Sequence, residues 1–266
     1  MISGLFLLQL LLTFIIGSCW IFLTVYSGAH FGSKIGGFIG GLPSTALLAF
    51  FFIGYTQSPT FASQATTVFP LGMGISGLFL VVFVWISRYG FLKGVVAGLV
   101  IWFILSLTVA FLPPEMFAIN LLVYAAVLIF SFFILEKRIK IKAIPARKSD
   151  HTIKHMAYRS LFGGAILTLT VLFAKIGGPH LGGILAAFPA MFISTLTVTY
   201  RVHGLDFSRA VAKPLLVTGM ITVAVYVISV RYLYLSTGLY WGTLLSILVA
   251  SASAYLTYRY ILPRLT

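Results

Sequence analysis

The chain has 266 residues, of which 60% are hydrophobic and only 8% charged, with a mean hydropathy of +1.09. A soluble domain carries about 25% charged residues, so the composition excludes a globule in water and points to an integral membrane protein whose first partner is the lipid bilayer. The net charge of +14 sets 18 Lys and Arg against four acids, Glu115, Glu136, Asp150 and Asp206; in a membrane protein such an excess reports topology rather than nucleic-acid binding.

Hydrophobic runs separated by Pro, Gly and charge give nine expected spans: 3–26, 33–55, 63–87, 91–112, 115–135, 157–176, 180–201, 208–232 and 237–261. Runs of this length are helices rather than barrel strands, because lipid leaves no other way to satisfy an open backbone. The first run lacks a basic lead and exceeds the apolar core of a signal peptide, so it reads as a span. Segment 136–159 holds Lys137, Arg138, Lys140, Lys142, Arg147, Lys148, Lys154 and Arg159, which places it on the cytoplasmic side. Counting spans outward from it puts the N-terminus outside and the C-terminus inside a plasma membrane. Lys34, Arg88, Lys93, Arg201, Arg209, Lys213, Arg259 and Arg264 then also fall inside, and only Lys175 and Arg231 fall outside. The same loop is suited to anionic lipid headgroups.

The chain repeats itself. Gly32, Gly36, Gly37 and Pro43 recur as Gly178, Gly182, Gly183 and Pro189, an offset of 146. Gly17 likewise meets Gly163 and Phe61 meets Phe207; with two residues inserted, Gly90 meets Gly238 and Gly94 meets Gly242. The expected architecture is all-α and polytopic: about nine transmembrane helices arranged as two four-helix repeats, within 1–112 and 157–266. A linking helix at 113–135 and a basic cytoplasmic loop at 136–156 join them. The odd linking span inverts the second copy, an arrangement common in secondary transporters and some channels.

Segments 36–44, Gly-Gly-Phe-Ile-Gly-Gly-Leu-Pro-Ser, and 182–190, Gly-Gly-Ile-Leu-Ala-Ala-Phe-Pro-Ala, look like the signature of the GlpM-like membrane proteins, a family of roughly half-length, four-span chains. The resemblance covers both halves but not the fifth span. It implies a duplicated, fused form of a unit that would otherwise pair with itself, and it brings no substrate and no functional residues.

Glycine near proline weakens a helix, because proline removes a backbone hydrogen bond and clashes with the preceding turn. Two readings of the motifs stand side by side. The glycines are small-x3-small ridges that let helices touch, or the helices break there and their freed backbone groups bind a solute. On the second reading the site forms where spans two and seven cross. It draws on Gly36, Gly37, Pro43, Ser44 and Thr45, on Gly182, Gly183, Pro189 and Ser194, and on the flanking Lys34 and His180. Thr195, Thr197 and Thr199 either line the same path or bond back to their own helix. Thr60 and Asp206 are expected to cap helices, with Asp206 pairing with Arg209. Pro70 is expected to kink its helix, and Pro214 to fall in a first turn. Lys213 either enters a cavity or snorkels to the surface. Glu115 fits a first helical turn, and Asn120, one turn deeper, needs a partner.

Four scattered acids and one cysteine, Cys19, offer no paired carboxylates, metal cluster or nucleophile–base pair, so neither an enzyme nor a bound metal or cofactor is expected. The expected function is a transporter or channel for a small solute or ion. An anion or neutral solute is favoured over a carboxylate-coupled cation; the alternative is an accessory or lipid-handling protein of envelope assembly. Single cysteines placed at Lys34 and His180 are expected to react with an impermeant thiol reagent from opposite sides of the membrane; labelling from one side would remove the inversion.

Overall fold

The computed structural model describes residues 3–30, 43–138 and 153–261. Every element within them is helical: α1 (Gly4–His30), α2 (Ser44–Thr56), α3 (Pro59–Ala65), α4 (Phe69–Ile86), α5 (Phe91–Phe111), α6 (Phe117–Phe133), α7 (Ile153–Ala186), α8 (Ala190–His203) and α9 (Leu205–Leu256). Six helical stretches are long and apolar enough to cross a membrane, among them 153–203 and 205–256; α2 is apolar but shorter.

The two longest stretches fold back on themselves. A straight helix of the 52 residues of α9 would run about 78 Å, well beyond a hydrocarbon core of about 30 Å. Gly178 (φ 82, ψ −179) interrupts α7 and Gly238 (φ 75, ψ −174) interrupts α9, in backbone that L side chains rarely adopt. A Cβ on Gly182 would lie 2.6 Å from the Ala174 Cβ, and one on Gly242 would lie 2.8 Å from the Tyr234 Cδ1. Residues eight apart on a straight helix are separated by about 12 Å, so the chain reverses at both glycines. The Tyr234 and Thr243 hydroxyls join the two arms of α9 at 2.8 Å. Gly90 (φ 130) turns the chain between α4 and α5, where a Cβ on Gly94 would lie 2.7 Å from the Ser87 Cβ. At Gly204, the Ser208 Oγ donates to the Leu196 carbonyl at 2.8 Å. Each turn is thus followed, four residues on, by a small residue that admits the returning helix.

Small residues also set the crossing of α1 and α7. A Cβ on Gly17 would lie 3.0 Å from the Leu167 Cδ1, and one on Gly163 would lie 2.5 Å from the Ile21 Cδ1. The pairs 17/167 and 21/163 run in opposite directions, so the helices are antiparallel. They are also reciprocal, because 17 and 163, like 21 and 167, stand 146 apart. Two side-chain bonds join more distant elements: the Ser63 Oγ donates to the Arg231 carbonyl at 2.7 Å, and the Arg209 Nε donates to the Val84 carbonyl at 3.3 Å. Phe50, Phe69, Phe79, Leu216 and Val171, all buried, lie in one continuous core.

Several local expectations are corrected. The cap of α3 is Ser58, whose Oγ accepts from the Phe61 amide at 3.0 Å, and not Thr60; Pro59 takes the first helical position, where no amide is needed. Asp206 lies in the first turn of α9, which opens at Gly204 with no side-chain cap; it does pair with Arg209, at 3.7 Å. Pro70 starts α4 rather than kinking it, because the chain has already left its helix at 66–68. Pro214 lies inside α9. Glu115 precedes α6, which begins two residues later. Asn120 has its partners: its Nδ2 donates to the Thr67 carbonyl at 2.8 Å and to the Pro114 carbonyl at 3.0 Å. Lys213 is 8% exposed and bonds to Glu136 at 2.8 Å, so it is held by an acid just beyond the end of α6 rather than reaching for the surface. Most of the basic loop lies outside the described residues.

Gly238→Ala is expected to lower stability by about 1–3 kcal/mol, the usual cost of backbone strain at such a position. Gly4→Ala, with nothing within 4 Å, is the control. Thermal unfolding in detergent checks both.

Candidate functional site

Two helices begin at a proline in nearly the same backbone conformation. Pro43 (φ −77, ψ 51) opens α2 and Pro189 (φ −76, ψ 38) opens α8, and neither start carries a side-chain cap. The first amides of a helix have no partner within it, and they carry the positive end of its dipole. At α8 the Ala190 amide is taken by the Phe188 carbonyl at 2.8 Å. Pro189 stands 11 residues after the turn at Gly178 and 15 before that at Gly204. At helical rise this is about 17 and 23 Å, so the break falls near the middle of the segment.

Both starts face one cavity of about 100 Å³, room for several water molecules. Pro43, Ser44 and Thr45 enter it from one side, and Ala187, Phe188, Pro189 and Thr195 from the other; Phe69, Met73 and Ser76 of α4 form a wall, and Arg159 of α7 reaches in. Among the described residues no Asp or Glu lines it, and Arg159 is the one charged side chain in the lining. Its Nη2 lies 3.7 Å from the Met191 Sδ, and its Nε is buried with no hydrogen-bond partner among the described residues. An ionisable side chain within a span is costly, and is a functional candidate for that reason.

The break at 187–189 is held from across the bundle. The Ser76 Oγ donates to the Ala187 carbonyl at 2.7 Å, and the Trp102 Nε1 donates to the Ser76 Oγ at 3.0 Å. Both side chains are essentially inaccessible. A carbonyl released from its helix thereby keeps a partner, as a buried polar group requires.

The cavity gathers part of the expected set. Pro43, Ser44, Thr45 and Pro189 line it together. Gly182 packs on Ala174 and Ile53, and Gly183 on the Ala65 carbonyl; these glycines let backbones approach and do not line the cavity. Ser194 faces a second, wider cavity, and its hydroxyl donates to the Met191 carbonyl at 3.1 Å. His180, half-buried just beyond the turn at Gly178, is not in the lining. Lys34, Gly36 and Gly37 lie outside the described residues. Thr197 and Thr199 bond back to carbonyls of their own helix. Arg159, Ser76 and Trp102 were not singled out by sequence reasoning. Arg159 stands near the start of an apolar run, and that position was its one available signal.

The family described as "Protein of unknown function (DUF3147)" matches residues 156–261 of this chain. No curated protein matches it, and no solved structure does.

Ser76→Ala would strip partners from the Trp102 indole and the Ala187 carbonyl at once. It is expected to cost about 2 kcal/mol or more and to change the Trp102 contribution to the fluorescence spectrum. Thermal unfolding and emission spectra check this.

Proposed function

We propose that the chain is a multi-pass plasma-membrane transporter or channel for a small anion, built as two inverted four-helix repeats around the cavity between Pro43 and Pro189. One observation carries the reading: two uncapped helix starts and an arginine with a buried nitrogen, unpartnered among the described residues, meet in a small cavity that no described carboxylate lines. Helix N-termini are ready anion sites, and in transporters they point at anionic groups from broken helices near the membrane midplane. A neutral solute would leave the guanidinium without compensation, so an anion is the better occupant.

Several features support the repeat. Prolines 146 residues apart start two helices in matching conformations. The reciprocal contacts of α1 with α7 are those of a two-fold relation, in which residue i of one unit meets j of the other and j meets i. The antiparallel sense of that crossing is the sense an in-plane axis requires. With the turns at Gly178, Gly204 and Gly238 counted, α7 to α9 read as four crossings: 153–177, 179–203, 205–237 and 239–256. The family match over 156–261 spans these four and little else, as expected of a unit duplicated here. The GlpM-like signature belongs to the same proposal, as does a cytoplasmic placement of the basic loop.

Purified protein in liposomes is expected to pass at least one small anion from a panel of halides, nitrate and phosphate. Arg159→Gln is expected to slow that flux by about tenfold or more, the worth of a hydrogen bond to a charged group. Absence of flux across the panel, or undiminished flux in Arg159→Gln, would overturn the proposal.

A further inference from the structure

Beside the central cavity lies a wider one of about 520 Å³, open on one side between α7 and α8. On α7, His155, Arg159 and Phe162 follow at four- and three-residue steps; on α8, Ser194, Thr197 and Arg201 do the same. Such spacings put each set on one helical face, so the two stripes face each other across the gap. Among the described residues the lining holds three basic side chains and no acid. The His155 Nδ1 and the Arg159 Nε are buried without a hydrogen-bond partner among the described residues. Ser194 and Thr197 have given their protons to their own helix, the first to Met191 and the second to Ile193; the donors left for a ligand are His155, Arg159, Arg201 and the Tyr158 hydroxyl.

We propose that this cavity is a second binding site, selective for a phosphate group and distinct from the central cavity, with which it shares only Arg159. A tetrahedral phosphate offers several acceptor oxygens to donors arriving from two helices, and planar guanidinium groups meet it with paired bonds. The remainder of the lining, Phe162, Ile193 and Val198, is apolar, and Phe162 is exposed. That combination accepts the phosphate of a lipid headgroup as readily as a soluble phosphate ester. Because Arg159 borders both cavities, a phosphate held here competes with the central site for the same guanidinium.

The test uses the full chain purified in detergent. Its thermal unfolding is followed during titration with short-chain phosphatidic acid, short-chain phosphatidylcholine, or sodium phosphate against sodium chloride at equal ionic strength. A saturable upward shift with phosphatidic acid alone assigns a lipid phosphate; a shift with inorganic phosphate as well assigns the phosphate group itself. In either case the His155→Gln/Arg201→Gln double variant is expected to lose about tenfold or more in affinity, and Arg201→Lys, which keeps the charge, is the folded comparison. No shift beyond phosphatidylcholine and chloride, or wild-type affinity in the double variant, would overturn the site. Neither substituted residue lines the central cavity, so anion flux in the same variant separates the failure of this site from the failure of the transport reading.

Discussion

Within hydrocarbon, a backbone group that leaves its helix costs several kcal/mol unless another group takes it up. This chain starts a helix at each of two prolines and leaves one just before the second, and the rest of the bundle answers that constraint. At 187–189 the answer is explicit: Ser76 takes the Ala187 carbonyl and Trp102 fixes Ser76. Two helices, α4 and α5, are thereby committed to the support of a third. The break between α3 and α4 is answered in the same way, by Arg231 on the two threonine hydroxyls of 66 and 67 and by Asn120 on the Thr67 carbonyl. What these arrangements leave open is the positive end of two helices, and that is where the cavity lies.

Close approach of helices is the second half of the same solution. Lipid gives no hydrophobic drive for helices to associate, so packing must come from contact area. A small residue four positions beyond each turn lets the returning helix touch the outgoing one, and Gly17, Gly163 and Gly164 do the same where α1 crosses α7. The tightness of these crossings keeps Arg159 beside Met191 and the two proline starts beside each other. The site therefore depends on residues that never touch its contents.

Much of this was legible. Gly90 and Gly178 fell between expected spans, and both are turns; Gly238 was expected inside the span 237–261 and is a turn as well. The Gly/Pro spacing pointed to both helix starts. These are local signals, carried by residues with unusual backbone behaviour. The motif glycines held two readings, and the structure divides them: Gly182 and Gly183 pack, while the prolines open the cavity. The Ser76–Trp102 support was not legible, because Ser76 bonds a carbonyl 111 residues away and a lone serine in an apolar run looks like any other. Pro70 misled for a related reason. A proline deep in an apolar run suggests a kink, and only the tertiary hold on 66–68 shows that a new helix begins there.

Arg159 escaped notice through the charge count: taken with the basic residues of a loop, it vanished into their sum. The structure separates it by what each buried or half-buried cation touches. Lys213 has Glu136. Arg209 has Asp206 and the Val84 carbonyl. Arg231 has two threonine hydroxyls and lies 4.5 Å over the ring of Phe117. Each of these has its charge answered by the protein, as burial of an ion demands. Arg159 has a thioether and an unpartnered nitrogen, set between two cavities. With three of the four acids accounted for, Glu115 being exposed and Glu136 and Asp206 already paired, the chain offers no described carboxylate to complete it. On the proposed function, an anion bound from outside the chain is the group that answers this charge.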